Sequence, residues 1–135
     1  MSKRVLVIDD EEAVRKSFVL ALEDSDYQID TVGSGEEGIE KARTTKYAVI
    51  FLDLKMPGLD GVATLRELRQ IDREVPIYII TAFHTEFFDK LKGAAKDGID
   101  FQVLEKPIDI DQILSFTKAV LEGAVEYHER SEQNA

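Results

Sequence analysis

Five short apolar runs rich in β-branched residues recur along the chain, at residues 5–8, 28–32, 48–52, 76–80 and 101–105, and segments with helical spacing lie between and after them. After the first run Val14, Phe18, Ala21 and Leu22 recur at three- or four-residue intervals; after the last, Ile110, Ile113, Leu114, Thr117, Val120 and Leu121 do the same. The alternation predicts an α/β chain of (βα)5 type. Near-continuous apolar strands need cover on both faces, and crossover helices supply it, so the expected architecture is a doubly wound, parallel, five-stranded sheet. The strand order 2-1-3-4-5 is taken from that class, because the sequence alone does not fix it.

Glycine and proline punctuate the divisions: Gly33 and Gly35 after the second run, Pro57, Gly58 and Gly61 after the third, Gly98 before the fifth and Pro107 after it. No linker divides the 135 residues, and 44% hydrophobic content is enough for a core without staples. We expect one domain over 1–125 and a polar tail over 126–135, which has no apolar periodicity. The absence of cysteine excludes thiolate metal sites, cysteine nucleophiles and disulfides, and is compatible with a cytoplasmic location. A formal charge of −10 argues against direct nucleic-acid binding or an anionic membrane surface and favours cations and basic partners. No apolar run approaches the roughly 18 residues of a membrane span, and residues 5–8 are too short and wrongly flanked for a signal peptide.

In open α/β sheets ligands bind beyond the carboxyl ends of the strands, where the strand order reverses. There the chain offers Asp9 and Asp10 after the first run, Asp53 after the third, Thr81 after the fourth and Lys106 after the fifth. In the assumed order strands 1 and 3 are neighbours at about 4.8 Å, which brings the three carboxylates within reach of one ion. Their repulsion raises a pKa or is relieved by a hard divalent cation; oxygen donors without His or Cys suit Mg²⁺. The stem of Lys106 covers much of the roughly 10 Å from strand 5 to strand 3. Three carboxylates, a divalent cation and one ammonium then reach neutrality, and a neutral site accepts a phosphoryl group that a bare acidic cleft rejects. Asp53, at the sheet centre, is the expected nucleophile for an acyl phosphate.

These residues carry a resemblance. Val7-Ile8-Asp9-Asp10, the stretch Leu52-Asp53-Leu54-Lys55-Met56-Pro57-Gly58-Leu59-Asp60-Gly61, Thr81-Ala82 and Lys106-Pro107, in that order at strand ends, resemble a response-regulator receiver domain of two-component signalling, of the CheY-like superfamily, over residues 4 to 123. The resemblance implies a flavodoxin-like fold. It implies that Asp53 accepts a phosphoryl group from the phosphohistidine of a sensor histidine kinase or a histidine phosphotransfer protein, with Thr81 and Lys106 contacting that group. It also implies Mg²⁺ held by Asp10 directly, by Asp9 largely through water, by Asp53 and by the backbone carbonyl of Lys55, and a cis bond before Pro107. The domain would be a switch and not a turnover enzyme, though it promotes its own phosphorylation from small donors and its own dephosphorylation. Signalling would pass through the face of the fourth helix, fifth strand and fifth helix to a downstream protein or effector domain, or to a second copy in a homodimer. With no effector domain after residue 125, output is expected by association, onward phosphotransfer or a domain outside this sequence. One departure concerns the switch aromatic, which the family places three residues before the lysine. Here that position is Val103, and the nearest aromatic is Phe101, on the same strand face.

Simpler readings stand beside these. Asp10, Glu11 and Glu12 suit the start of a helix as cap and dipole partners; Asp53 suits a turn, Thr81 a strand or cap, and Lys106 a solvated surface. Gly33-Ser34-Gly35-Glu36-Glu37-Gly38 matches the dinucleotide fingerprint, but two glutamates would repel a pyrophosphate, and Ser34 with Glu37 reads better as a capping box. His84 and His128 lack companions at metal-ligand spacing. Phe87, Leu91, Ala94 and Ala95 form an apolar stripe expected in the core, whereas Phe83 and Phe88 fall off it and are expected on a partner surface. Lys55 and Phe83, each two residues beyond a site residue, are expected to tune acyl-phosphate decay. Three rival functions are a phosphohydrolase of the haloacid-dehalogenase type, a phosphorylation-independent binding module on the same fold, and a flavodoxin. Lys55 stands where the first needs an acid; the second would normally lack one of the five site residues; the third needs hydroxyls and glycine where Asp9 to Glu12 stand.

Overall fold

The structure, a computed structural model, describes residues 3–82 and 84–122. Along the chain run β1 (Arg4–Ile8), α1 (Glu12–Leu22), β2 (Gln28–Val32), α2 (Gly35–Thr44), β3 (Val49–Leu52), α3 (Gly61–Ile71), β4 (Ile77–Thr81), a 3-10 turn (His84–Phe87), α4 (Phe88–Lys96), β5 (Gln102–Glu105) and α5 (Ile110–Leu121). All five strands are parallel, in the order β2-β1-β3-β4-β5. The chain moves from β1 outward to β2 and then across to β3 on the other side, so the reversal of strand order lies between β1 and β3. That is the crevice the sequence pattern anticipated.

Alternation along each strand divides the core in two. Leu6, Ile8, Ile50, Leu52, Ile77 and Ile79 face α2, α3 and α4, where Ile39, Leu65, Leu68, Leu91 and Ala94 complete one cluster. Val5, Val7, Val49, Phe51 and Ile80 face α1 and α5, with Phe18, Leu22 and Ile113. Phe51 lies 4.9 Å from Phe18 between ring centroids, a tilted aromatic contact at the centre of that layer. Asp30, on the edge strand β2, accepts from the Tyr47 hydroxyl at 2.6 Å and from Arg4 at 3.2 Å. Partial burial pushes its carboxyl up, but those two partners outweigh it and hold it below its ordinary value.

Local signals account for most helix starts. Asp60 accepts from the Ala63 amide, Ser34 from the Glu37 amide, and Asp109 and Gln112 form a reciprocal capping box. The Ser34–Glu37 pair is half a box: the Ser34 side chain caps the amide and donates to the Glu37 carboxylate at 3.1 Å.

Several sequence expectations shift. Arg4 joins β1, and Ala48, Pro76 and Phe101 each lie one residue outside the strand assigned to them, so Thr81 is the last residue of β4 and Phe101 precedes β5. Proline has no amide to give a ladder, which explains the late start of β4. Ala95 is exposed, because only Leu91 and Ala94 of α4 turn fully inward. Ile110, the first residue of α5, is also exposed, since the stripe that meets the sheet begins one turn later at Ile113. The proposed tail over 126–135, His128 and Phe83 lie outside the described residues.

The turn from β3 to α3 leaves no room for a side chain at Gly61. Its amide donates to the Leu54 carbonyl at 3.0 Å, and an added Cβ would overlap the Leu54 Cα and come within 2.6 Å of the Asp53 carbonyl oxygen. Both are backbone atoms and cannot rotate away. Gly93, inside α4, meets nothing closer than an Arg66 nitrogen at 3.8 Å. We therefore expect Gly61→Ala to lose about 1–3 kcal/mol of stability by overpacking. Gly93→Ala should gain up to about 1 kcal/mol by removing glycine's helix penalty. Urea unfolding of the two variants checks both signs.

Candidate functional site

The residues expected at the strand exits meet above the carboxyl end of the sheet. Backbone ladders place three of them. The Asp9 amide donates to the Val32 carbonyl at 3.1 Å, and the Asp53 amide to the Ile8 carbonyl at 2.9 Å, so both acids extend the β2-β1-β3 ladder by one step. The Lys106 amide donates to the Thr81 carbonyl at 3.2 Å and extends the β4-β5 ladder in the same way. The Lys106-Pro107 bond is cis, as the resemblance implied.

Asp9 and Asp53 are 2% and 4% exposed, whereas Asp10 stands at the solvent edge. One carboxylate oxygen from each of the three lies within 4.8 Å of one from each of the others. Lys106 crosses from the far side of the sheet, and its Nζ stands 2.9 Å from Glu11 Oε1, 3.1 Å from Asp9 Oδ2 and 3.5 Å from Asp53 Oδ1. A second Asp9 oxygen accepts from the Glu11 amide at 2.9 Å, and the Asp9 carbonyl accepts from Arg15 at 2.7 Å. Thr81 is buried at the end of β4.

Charge in this pocket is unbalanced. Burial, and then the neighbouring Asp9 charge, push the Asp53 carboxyl up to about 7 against the pull of Lys106. Burial also raises Asp9, against its bonds to the Glu11 amide and Lys106. For Lys106 burial works downward, but the Glu11 bond and the charges of Asp9 and Asp53 outweigh it and hold the ammonium above the ordinary lysine value. Lys106 faces Asp9, Asp53 and Glu11 at once, so the acids around it outnumber it. The donor set fits a hard divalent cation of the Mg²⁺ type: oxygen atoms only, from three carboxylates close enough to share one ion.

The simpler readings meet the same geometry. Glu11 occupies the N-cap position of α1 but makes no side-chain cap bond; its carboxylate goes to Lys106 instead. Lys106 is not a solvated surface lysine. The glycine-rich stretch after β2 lies at the sheet's outer strand and opens α2 with a serine cap, away from the reversal point. Phe101 is half-buried against the α2–α4 side of the core, and Val103, opposite Ile79 on β5, is 38% exposed. Phe88 is 55% exposed, with the Lys92 ammonium 5.4 Å above its ring. Lys55 is exposed at the mouth of the pocket loop.

Two participants escaped the sequence reading. Glu11 is sequence-adjacent to the acid pair, yet its partner lies 95 residues away, and only the assembled sheet joins them. Arg15, in α1, reaches back six residues to the Asp9 carbonyl, a contact that an arginine at that spacing permits but does not announce.

A family model of the response regulator receiver domain matches residues 5–118. The alkaline phosphatase synthesis transcriptional regulatory protein PhoP of Bacillus subtilis is 37% identical over 121 residues, covering 90% of this chain and 49% of that protein. The response regulator ArlR of Staphylococcus saprophyticus is 35% identical over 118 residues, 87% of this chain and 52% of that one. The chain thus spans about half the length of the curated relatives it matches. Among solved structures, a CheY-like receiver domain protein from Methanospirillum hungatei superposes with a TM-score of 0.80 at 20% identity, covering 94% of this chain and 99% of that one, a likeness of fold. The receiver domain of a putative LuxO repressor protein from Vibrio parahaemolyticus gives 0.76 at 26% identity, with 95% and 96% covered. Fold, strand-end residues and family match agree: the chain belongs to the response-regulator receiver domains of two-component systems.

Proposed function

We propose that the domain, over residues 1–125, is a phosphorylation-dependent switch whose phosphoacceptor is Asp53. The observation that carries this reading is the convergence of Lys106 and Asp9 on the buried Asp53 carboxyl at the reversal point of the sheet. In the transfer an Asp53 oxygen forms a bond to phosphorus as the P–N bond of a phosphohistidine breaks, and the imidazole nitrogen leaves with the electron pair. Lys106 supplies a fixed positive charge beside the incoming phosphoryl oxygens, and Thr81, at the end of β4, supplies a hydroxyl to one of them. Asp9, Asp10 and Asp53, with the Lys55 carbonyl, would hold a divalent cation that neutralises charge on those oxygens. The arrival of the phosphoryl group draws on Thr81 and biases the adjoining segment, so that the α4-β5-α5 face, which carries exposed Phe88 and Val103, changes its affinity for an effector or a second copy. The expected kinase or phosphotransfer partner, a cytoplasmic site of action and the control of acyl-phosphate decay by Lys55 belong to this same reading. A phosphohydrolase of external esters is disfavoured, since the position two residues after Asp53 carries an ammonium and no proton-donating carboxyl.

Two measurements test the proposal. Incubation with Mg²⁺ and acetyl phosphate should add one labile phosphoryl group to the wild type and none to Asp53→Asn, read by intact mass. An adduct of equal extent on both proteins would remove Asp53 from the role. The second concerns charge. The Asp53 carboxyl is raised in the folded state to about 7, against roughly 3.9 in an unfolded chain. Its contribution to stability is therefore complete below about pH 4 and is lost as pH climbs through 7. Without metal, Asp53→Asn should gain on the wild type between pH 5 and pH 8, reaching about 1 kcal/mol or more. Mg²⁺ should stabilise the wild type more at pH 8 than at pH 5. Calorimetric melting at both pH values checks the sign, and an advantage of Asp53→Asn confined to pH 5 would contradict it.

A further inference from the structure

Lys106 is the cation on which phosphoryl recognition in the proposed function rests, and in the unphosphorylated protein its ammonium already faces three carboxylates. The shortest contact is to Glu11, at 2.9 Å, not to Asp9 at 3.1 Å or Asp53 at 3.5 Å. The three acids differ in how readily they can leave. Asp9 and Asp53 side chains are 3% and 5% exposed, and backbone ladders on either side fix them. Glu11 is 60% exposed, at the junction of loop and helix, and its side chain makes no cap bond, so its carboxylate can swing into water at little cost. Its backbone amide, which orients Asp9, is untouched by that motion.

We propose that the Glu11 carboxylate is a displaceable counter-anion that occupies Lys106 until a phosphoryl group on Asp53 takes its place. An ammonium has three donors, and three acids already face this one. A phosphoryl oxygen arriving at Lys106 therefore competes for a donor, and the exposed Glu11 is the one that yields. Glu11 is in this sense a positioning residue. It keeps a half-buried lysine compensated in the resting state, and it sets a threshold that an incoming dianion must exceed, partly through competition and partly through like charge at the pocket mouth. The inference rests on the phosphoacceptor reading of Asp53 but makes a separate claim about what Lys106 gives up.

A neighbouring acid provides the control. Glu12 is also exposed, at 70% against 60% for Glu11, and carries the same charge, but it pairs with Lys16 at 3.1 Å. At saturating Mg²⁺ and low salt, the rate of acyl-phosphate formation from acetyl phosphate is measured by intact mass in the wild type, Glu11→Gln and Glu12→Gln. There an Asp53 oxygen bonds to phosphorus as the P–O bond to acetate breaks and acetate departs with the electron pair. Glu11→Gln should react about two- to fivefold faster than the wild type, the range expected from releasing one exposed ion pair. Glu12→Gln should match the wild type. The gain should vanish near 1 M KCl, where screening acts within about 3 Å. A second readout uses neither metal nor phosphate: acylation of Lys106 by an amine-reactive ester, followed by peptide mass mapping, should be faster in Glu11→Gln alone. Equal or slower phosphorylation in Glu11→Gln, an equal gain in Glu12→Gln, or unchanged Lys106 acylation overturns the proposal. Failure of the wild type to take any phosphoryl group would overturn the proposed function instead, and the acylation comparison would still decide the fate of Glu11.

Discussion

A buried carboxylate has to be compensated, and most of what is distinctive in this molecule follows from how incompletely that is done around Asp53. Two inner acids and one at the rim share a pocket with the Lys106 ammonium. In a purely structural site such a deficit would be removed by replacing an acid with an apolar residue, because breaking even or losing stability is the usual outcome for buried charge. Here the deficit is retained at the place where the strand order reverses. Burial, and then the neighbouring Asp9 charge, raise the proton affinity of the central carboxyl to the neutral range.

The sheet makes this arrangement rigid. Asp9 and Asp53 sit one residue beyond their strands, with amides still bonded to the neighbouring strand's carbonyl, so their Cα positions are as well determined as those of the ladder itself. The strands beneath them are buried on both faces, from Val5 to Ile8 and from Val49 to Leu52. Gly61 closes the loop that carries Asp53 by letting α3 begin directly against it. Precision at the site thus derives from the core, and flexibility is left to the rim, where Asp10, Glu11 and Lys55 stand in water.

What the sequence made legible follows the same division. The near-continuous apolar runs and the 3.6-residue stripes made element types and strand exits legible, because burial on both sheet faces leaves few other patterns open. Asp9, Asp10, Asp53, Thr81 and Lys106 could be named because each is punctuated by the end of a strand. Ends of elements were less legible: Phe101 and Thr81 exchanged sides of a strand boundary by one residue, a shift that ladder hydrogen bonds decide and side-chain pattern does not. Glu11 read as a helix-start acid, which by position it is. Its partner was hidden because contact between residues 11 and 106 exists only after five strands have been ordered. Ala95 misled for a different reason: alanine fits an apolar stripe or a solvent face equally well.

The helix that follows Thr81 is held more lightly than its neighbour α3. In α3, Val62, Leu65 and Leu68 are buried, whereas α4 commits only Leu91 and Ala94 to the core and begins from a 3-10 turn without a side-chain cap. Ion pairs hold it to α3 at its two ends, Lys90 to Asp60 at 3.4 Å and Arg66 to Asp97 at 2.9 Å. Both are exposed, and such pairs are worth at most about 1 kcal/mol each. A hydrogen bond to a charged group contributes roughly 1.5–3 kcal/mol, so one new bond of that kind at the end of β4 is comparable with everything the two pairs supply. In the proposed function, the asymmetry between a strand-locked pocket and a lightly held neighbouring helix would let a local change of charge become a change of surface.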